Sequence, residues 1–457
     1  MRDDLIDIGE LGVSEALKRG ATEVEAYISW GRSLGVKIEH GQISFSTVGI
    51  DNGIGIRVAV GKRVGFAYAN SLSPDKVKEV AERAVSAAKA SREDKDWRGL
   101  PEPRTLPTVE DVFDDRIIKM DVDEVSEIAK RMLDSALEYD KRVIPINGGV
   151  SVSYGTVAIV NSKGIRVEEK GTLIYAGLAT IARDGTKVSP VCYETDHSRV
   201  LKIDPEWVGR EAARLAVEAL KTEKVSPGRY PVIFDQEALS ELWEYTLTKA
   251  VQADFVQRDR SALKGKLGEQ VASEILTIID DGIRRGGYNT GSFDGEGVPS
   301  QRTVIIESGI LRGYLYDNYT AKKENRSSTG NAARSPQYGP VAVDYASTPS
   351  IAPTNFTVIE GDFKVDEMIS EIKEGFYVRG IQGAHSSNPE SGEISVVATP
   401  CWKIERGEVK HAVQGAMIAG NMFEMLKRIA GIANNTRQFF YLVSPWIMVE
   451  NVRIVSK

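Results

Sequence analysis

The sequence predicts an α+β fold, in which two N-terminal units of helices and antiparallel strands precede a mostly β C-terminal domain. In the first half, apolar and polar residues alternate with period 2 over several stretches, as they do in half-buried strands. Segments with helical spacing of apolar residues flank each group of these stretches. Strands grouped with flanking helices, without strict β–α alternation, are typical of α+β proteins.

The first unit is assigned to residues 1–105. A helical stretch around residues 11–18 precedes strands predicted at 25–32, 35–39, 54–60 and 64–70. Ser73, Pro74 and Asp75 then supply a helix cap, a proline at the first helical position and an early acid. Residues 91–118 hold Pro101, Pro103 and Pro107 among charged residues, which indicates a connector laid over the surface.

The second unit, residues 119–225, repeats the order of elements of the first. A helix is predicted at 123–139, a meander at 144–194, and a second helix that begins at Asp204-Pro205-Glu206 and runs to Lys221. The repetition has two open explanations, a duplication or the general economy of covering one sheet face with helices.

The third unit, residues 226–457, begins at the break Ser226-Pro227-Gly228. A buried strand is predicted at 230–234 and a helix at 236–253, after which Gly, Asn and Ser separate short strands. One late helix is predicted from about residue 421 to residue 430, because four apolar residues share one face there.

Composition limits the class of protein. The chain has 457 residues, which is too long for one ordinary core, so two or three packed units are expected. Apolar residues make up 42% and charged residues 27%, as in ordered globular proteins. The net charge of −7 argues against nucleic acid as a direct ligand, because contacts with phosphates need a basic face.

Cysteine usage and the N-terminal residues predict a cytoplasmic protein. Cys192 and Cys401 are the two cysteines and form no CxxC pair, so two buried free thiols in a reducing compartment are expected. The opening residues carry acids where a signal peptide carries basic residues, and no apolar run approaches the roughly 18 residues of a membrane span. No membrane partner is therefore expected.

Several motifs of the third unit resemble the TldD/PmbA family in their order and spacing. The first run is Ala253-Asp254-Phe255-Val256-Gln257-Arg258, and it is followed by matches at residues 267–269, 271–274, 277–282, 294–299, 306–311, 317–321 and 328–332. Residues 376–378 and 418–422 extend the likeness toward the C-terminus, and the glycine-rich segment 51–58 extends it toward the N-terminus. The resemblance covers nearly the whole chain.

The resemblance implies a zinc site in one type of subunit of this family. There, a helix just before the shared Asp-Phe carries HExxxH, whose histidines bind zinc together with a distant C-terminal cysteine. Counting back from Phe255, the corresponding positions here are Glu244, Tyr245 and Lys249, and the segment 438–445 holds no cysteine. A lysine ammonium repels a metal and a tyrosine phenol is a poor base, so neither catalytic residues nor a metal is expected in this chain. Without zinc, residues 236–253 could form a plain helix.

Other polar residues are weaker candidates. Eight residues of the family motifs are candidates for a pocket or interface, with structural turn roles as the alternative: Asp294, Glu296, Arg302, Asn318, Tyr319, Thr329, Asn331 and Arg334. The turns at 280–282 and 294–297 could bind a cation, although their spacing is not that of an EF-hand. His385 lies beside Ser386 and Ser387, but such close neighbours seldom form a triad.

The resemblance implies a non-catalytic PmbA/TldE-like subunit of a TldD/TldE-type heterodimeric zinc metallopeptidase that acts on peptides. The zinc and the catalytic residues would belong to a TldD-like partner, and the isolated chain could form a homodimer. The family also carries an older label as a modulator of DNA gyrase. Two alternatives remain open: a self-sufficient metallopeptidase that combines Glu244 with acids of residues 280–296, and a self-associating peptide-binding or scaffold protein.

Overall fold

The computed structural model describes residues 4–334 and 344–456, and it confirms the α+β class. The first unit contains helices and strands in the predicted order. The strands predicted at 25–32 and 35–39 form one long strand, and the first helix begins earlier than predicted, at Leu5. The elements of this unit are α1 (Leu5–Lys18), β1 (Glu23–Glu39), β2 (Gln42–Val60), β3 (Arg63–Ala69) and α2 (Pro74–Ala90).

The second unit also places helices before and after a meander of long strands. Asp121 caps its main helix, because the Asp121 carboxylate accepts a hydrogen bond from the backbone N–H of Glu124 at 2.9 Å. Its elements are α3 (Asp115–Lys119), α4 (Val122–Tyr139), β4 (Val143–Asn161), β5 (Arg166–Asp184), β6 (Lys187–Val188), β7 (Cys192–Ser198) and α5 (Pro205–Glu218).

The C-terminal unit is rich in short strands. It begins with β8 (Thr222–Lys224), β9 (Gly228–Phe234), α6 (Gln236–Glu244), α7 (Leu247–Ala250), α8 (Ala253–Gln257), β10 (Ile278–Asp281), β11 (Arg302–Glu307), β12 (Ile310–Leu311), α9 (Asn318–Lys323) and β13 (Ala332–Ala333). After the gap in the described residues come β14 (Ser350–Ile351), β15 (Phe356–Val358), α10 (Val365–Ser370), β16 (Glu374–Val378), β17 (Ile381–Gln382), a 3-10 helix (Ala384–Ser386), β18 (Glu393–Ala398), β19 (Cys401–Glu405), β20 (Glu408–Gln414), β21 (Ala416–Asn421), α11 (Met422–Leu426), β22 (Ile429–Ile432), β23 (Arg437–Phe439), β24 (Leu442–Ser444) and β25 (Ile447–Ser456).

The first two units share one sheet. In the described residues its strand order is β3-β2-β1-β4-β5-β6, with β7 also paired to β5, and the antiparallel pairing of β1 with β4 joins the units. Helices α1 and α2 pack on the sheet in one apolar cluster, and α4 and α5 pack on it in another. Each helix pair covers the apolar face of its own half of the sheet.

The C-terminal unit contains two larger sheets around its own core. The described strands order as β12-β11-β10-β15-β24-β23 in one sheet and as β17-β18-β21-β25-β9-β16-β19-β20-β8 in the other, where β22 also pairs with β25. Helices α6 and α7 contribute Leu239, Leu242, Trp243 and Leu247 to the apolar cluster that joins these sheets. The helix that carries the degenerate zinc motif is thus part of this core.

The late helix was predicted too long. Helix α11 ends at Leu426, and Ile429–Ile432 instead forms β22, which pairs antiparallel with β25. The apolar residues that suggested one helical face are all buried, but the branched side chain of Ile429 reaches the core from a strand.

A buried ion cluster joins the shared sheet to the C-terminal unit. The Arg57 Nη2 atom lies 2.8 Å from a carboxylate oxygen of Glu25 and 2.7 Å from one of Glu296, and Arg334 contacts the other oxygen of Glu25. All four side chains are at most 8% exposed. We call this set, Glu25, Arg57, Glu296 and Arg334, the Arg57 cluster; two carboxylates and two guanidinium groups balance within it.

Both cysteines are buried and free, as expected. Burial raises the pKa of Cys192 to about 12 and also raises the pKa of Cys401, so neither thiol is a reactive nucleophile. Across residues 4–334 and 344–456, no helix is both long enough and apolar enough to cross a membrane.

The Arg57 cluster predicts a large difference between two arginine substitutions. Arg57→Met leaves two buried carboxylates short of positive charge and should lower the free energy of unfolding by about 3–5 kcal/mol. Arg166→Met removes an exposed pair with Glu10, 60% and 49% exposed, and should cost less than about 1 kcal/mol. Urea unfolding followed by circular dichroism measures both, and equal losses in the two variants would contradict the assigned role.

Candidate functional site

Helix α6 is fixed at its start by Asp235. One oxygen of this carboxylate accepts hydrogen bonds from the backbone N–H groups of Glu237 and Ala238 at 3.1 and 3.2 Å, which caps the helix. The other oxygen accepts from Arg379 at 2.9 Å and from the Tyr377 hydroxyl at 3.2 Å. The first turn of the helix is therefore tied to strand β16 and the residue that follows it.

Arg379 is the centre of a second buried ion cluster. Besides Asp235, it contacts Glu194 on β7 at 2.9 Å and Glu237 on α6 at 3.0 Å, and Arg437 also contacts Glu194 at 2.7 Å. We call these five residues the Arg379 cluster. Burial would raise the pKa of Glu194, but the charges of Arg379 and Arg437 outweigh burial and lower it.

The helix expected at residues 236–253 is broken, which corrects the prediction of a plain helix. Helix α6 ends at Glu244, and α7 begins at Leu247. The Thr246 hydroxyl donates to the Leu242 carbonyl at 2.6 Å, and the Thr248 hydroxyl donates to the Glu244 carbonyl at 2.9 Å. Such side-chain bonds to the preceding turn compete with the helical backbone pattern. The apolar residues Leu239, Leu242, Trp243, Leu247 and Ala250 of the segment are all buried in the core.

A row of acids follows one face of α6. Glu237, Glu241 and Glu244 are separated by four and three positions, so they project from the same side of the helix. Burial raises the pKa of Glu237 to about 8 and that of Glu241 to about 7, and it also raises the pKa of Glu244. The Glu241 carboxylate accepts from the backbone N–H of Ile381 at 2.8 Å.

The acid row forms one wall of a cleft with a volume of about 400 Å³. We call it the α6 cleft. Three consecutive residues, Phe439 at the end of β23 and Phe440 and Tyr441 in the turn that follows, also line it, together with Tyr193 of β7; we call these three the aromatic turn. Tyr441 donates to the Ser240 carbonyl at 2.8 Å, which holds this aromatic turn against α6. The positions of both halves of the family's zinc site thus meet in this one cleft.

Phe440 is an unusual residue of the aromatic turn. Its φ of 50° lies in the left-handed region, which a bulky side chain seldom adopts. Its ring stacks on His197 at 5.5 Å between centroids and meets the edge of Tyr288, also at 5.5 Å. Burial lowers the pKa of His197 to about 4, so this imidazole is neutral at pH 7. These contacts hold the strained turn in place.

The residues of the α6 cleft do not fit a zinc ion. Glu244, Tyr245 and Lys249 all line it, and together they offer one carboxylate, one phenol and one ammonium group. Zinc requires neutral imidazole, thiolate or carboxylate ligands that converge. In the part of the chain that the structure describes, no three His, Cys, Asp or Glu side chains are grouped closely enough to hold a metal ion.

Three of the eight predicted pocket or interface residues line a second cleft. Asp294, Asn331 and Arg334 contribute to a space of about 140 Å³, which also contains Tyr27. Asp294 is tightly bonded there, because its carboxylate accepts from the backbone N–H groups of Glu296, Val298 and Ala332. This second cleft and the α6 cleft share Asn289, Ala352 and Pro353 as lining residues, so they adjoin.

The remaining five predicted residues have other positions. Glu296 belongs to the Arg57 cluster, and its second oxygen accepts from the backbone N–H of Asn318 at 2.8 Å. Tyr319 packs against Trp97 and Leu100 in the connector. Thr329 accepts from the backbone N–H of Tyr316 at 2.7 Å in a turn, while Arg302 is exposed on β11.

The other sequence candidates are engaged elsewhere. Asp280 accepts from Asn331 at 2.6 Å and from Thr354 at 2.8 Å, and burial raises its pKa to about 6. In the Ser-His stretch, Ser386 donates to the Gly383 carbonyl at 2.7 Å and Glu390 pairs with Arg260 at 2.6 Å. The described side chains of this stretch therefore form no Ser-His-acid relay.

Sequence reasoning missed most of the α6 cleft. The sequence does not point to Glu237, Glu241 or Arg379, and it marks the aromatic turn only as part of the segment 438–445, which lacks a cysteine. The spacing of the three glutamates on one helical face was the only readable signal. The approach of β7 and the aromatic turn to this face depends on tertiary contacts.

The raised pKa of Glu241 predicts a pH-dependent contribution to stability. The folded protein keeps a proton on this carboxyl up to about pH 7, whereas the unfolded chain releases it near its ordinary value of 4.5. Unfolding then releases a proton, so this group lowers stability as the pH rises from about 5 to 8. The free energy of unfolding of Glu241→Gln should therefore rise by about 1–3 kcal/mol relative to that of the wild type over this pH range. Urea unfolding at each pH measures the difference, which should stay flat for Glu138→Gln, an exposed control on α4.

Comparisons with known proteins agree with the architecture of the chain. Three family models match: PmbA/TldA metallopeptidase domain 1 at residues 24–88, the central domain at 115–220 and the C-terminal domain at 227–456. An uncharacterized protein of Methanocaldococcus jannaschii is 33% identical over 97% of this chain and 98% of its own length.

Named relatives and a solved structure point the same way. The metalloprotease PmbA of Escherichia coli O157:H7 is 27% identical over 93% of this chain and 91% of its own length. The crystal structure of TldE from Thermococcus kodakarensis superimposes with a TM-score of 0.89 and 30% identity, covering 98% of this chain and 99% of that one. With matches in all three domains and over nearly its full length, the chain belongs to the PmbA/TldD family of metallopeptidases.

Proposed function

We propose that this chain is the non-catalytic, PmbA/TldE-like subunit of a TldD/TldE-type heterodimeric zinc metallopeptidase that acts on peptides. The catalytic zinc and its ligands belong to a TldD-like partner chain in this proposal. The present chain contributes a peptide-binding surface and the structure of the shared chamber.

One observation supports the proposal above the others. The positions that the family uses for HExxxH carry Glu244, Tyr245 and Lys249, and they face an aromatic turn that has no cysteine. The cleft is thus formed at the expected place, but its side chains cannot hold zinc or activate a water on it. A chain that keeps the cleft but has other residues in place of the metal ligands is consistent with a subunit whose partner carries out catalysis.

The shape of the site supports peptide as the ligand. The α6 cleft and the second cleft share Asn289, Ala352 and Pro353 as lining residues, so they lie side by side. An extended peptide advances about 3.3 Å per residue, so a few residues are long enough to reach from one cleft to the next. The wall of the α6 cleft contains both aromatic rings and carboxyl groups, as in sites that recognise side chains.

A cytoplasmic location is part of the proposal. Cys192 and Cys401 are both buried and unpaired, which suits a reducing compartment.

The proposal predicts a specific partner in cells. The full-length chain, tagged and expressed at its natural level in its source organism, should co-purify with a sibling chain that contains HExxxH, in about equal amounts. Mass spectrometry of the purified complex identifies the partner, and the tag alone serves as the control. Recovery of this chain only with copies of itself would instead favour a self-associating scaffold.

The proposal also predicts the metal content of the isolated chain. After dialysis against zinc, the purified chain should retain well below one zinc per molecule and should not cleave peptides, because Lys249 and Tyr245 are not ligands. The triple variant Glu244→His, Tyr245→Glu, Lys249→His should gain zinc affinity, since all three positions face the cleft. Elemental analysis measures both proteins. About one zinc per wild-type chain together with turnover would establish a self-sufficient peptidase and contradict the proposal.

A further inference from the structure

One face of the α6 cleft is lined by three acidic residues, Glu237, Glu241 and Glu244. Of these acids, Glu237 is paired with Arg379. Among the described residues that line the cleft, Lys249 is the one basic residue that can balance Glu241 and Glu244. Arg379 itself is 5% exposed and lies behind the wall. The open face of the cleft therefore presents two carboxyl groups to one lysine, and because burial raises the pKa of Glu241 to about 7, a cation in the cleft would favour the ionised form of this group.

An unfilled acceptor lies in the same wall. The Glu237 Oε2 atom is buried and has no hydrogen-bond donor among the described residues, although Arg379 Nη1 is 3.0 Å away. A buried acceptor without a donor is unfavourable. The raised pKa values of Glu237 and Glu241 have the same origin, since burial is not fully compensated by positive charge. A ligand that brings positive charge into the cleft would offset this deficit at the Glu241 carboxylate, which lines the cleft.

The geometry of the acids favours an ammonium group over a metal ion. The three glutamates are spread over two turns of α6, and no three carboxylates in the described ranges are grouped for metal binding. An ammonium group needs one or two carboxylates within hydrogen-bond distance and has three donors. Phe439, Phe440 and Tyr441 line the same cleft and offer apolar surface for an alkyl stem.

From these features we infer that the α6 cleft binds an alkylammonium group of a peptide, either a lysine side chain or a free N-terminus, between Glu241 and Glu244 on one side and the aromatic turn on the other. The inference deepens the proposed function and rests on it for the peptide nature of the ligand. The chain then selects which peptides enter the complex by their positive charge.

Four peptides of one neutral sequence test the charge preference with the full-length wild-type chain. The first is N-acetylated and has lysine at its centre, the second is N-acetylated with norleucine there, the third has norleucine and a free N-terminus, and the fourth is N-acetylated with glutamate. Each carries a C-terminal fluorophore, and anisotropy measures its Kd. The lysine peptide or the free-amine peptide should bind at least about ten-fold more tightly than the acetylated norleucine peptide, and the glutamate peptide should bind most weakly. The first and third peptides distinguish the two sources of the ammonium group.

Two variants locate the preference in the cleft. Glu241→Gln combined with Glu244→Gln should remove the preference, whereas Lys249→Gln should increase it a few-fold, because it removes the competing positive charge. Glu138→Gln, which changes an exposed acid of α4, is the matched control and should bind all four peptides as the wild type does. The two cleft variants are expected to change the preference in opposite directions. Lys249→Gln therefore still tests the inference if the double variant fails to fold.

Equal affinity of the wild type for the charged and acetylated norleucine peptides would overturn the inference, and so would a preference that both cleft variants retain. The peptide series needs no partner chain, so its outcome is separate from that of co-purification. A chain that pairs with an HExxxH sibling but ignores peptide charge keeps the proposed function and loses this inference. A chain that prefers ammonium peptides but never meets such a sibling loses the proposed function instead.

Discussion

Arg379 is the buried cation on which the geometry of the site depends. It contacts Glu194 from the shared sheet and both Asp235 and Glu237 from the start of α6, and it is itself 5% exposed. A guanidinium group buried to this degree must keep its carboxylate partners, because an unpaired buried charge costs several kcal/mol. Asp235 also caps α6, so the same residue fixes both the charge balance and the helix that carries the cleft. The orientation of the shared sheet, the helix and the acid row is thereby coupled.

The break between α6 and α7 is accompanied by hydrogen bonds from the chain's own hydroxyl groups. The hydroxyl groups of Thr246 and Thr248 bond to carbonyls four residues earlier, where a regular helix would have only backbone bonds. Together with the aromatic turn, these bonds keep positions 244 and 249 on the wall of one cleft. An ideal helix would direct side chains five positions apart in different directions. The local distortion therefore belongs to the fold, and the residues at the two positions decide the chemistry.

The two buried ion clusters have different chemical consequences. In the Arg57 cluster, two carboxylates face two guanidinium groups, and the cluster joins β1 and β2 to the C-terminal unit without an open acceptor on its carboxylates. In the Arg379 cluster, three carboxyl groups face two guanidinium groups, and one oxygen of Glu237 lies 3.0 Å from Arg379 without a hydrogen-bond donor of good geometry among the described residues. The first cluster is a structural joint between units. The second places a carboxyl group, that of Glu237, at the wall of the α6 cleft, where burial raises its pKa to about 8.

The sequence alone determined the α+β class, most helix positions and the replacement of the zinc ligands. These features depend on local spacing and on residue identity, for example the lysine at position 249, whose ammonium form repels a metal ion. It also indicated polar residues of importance, but not their roles: Glu296 is a structural ion partner, while Asp294 lines the second cleft. Only the tertiary structure brought Tyr193, Arg379 and the aromatic turn to the acid face of α6. Such residues meet through strand pairing across hundreds of positions, and neither periodicity nor propensity carries that information.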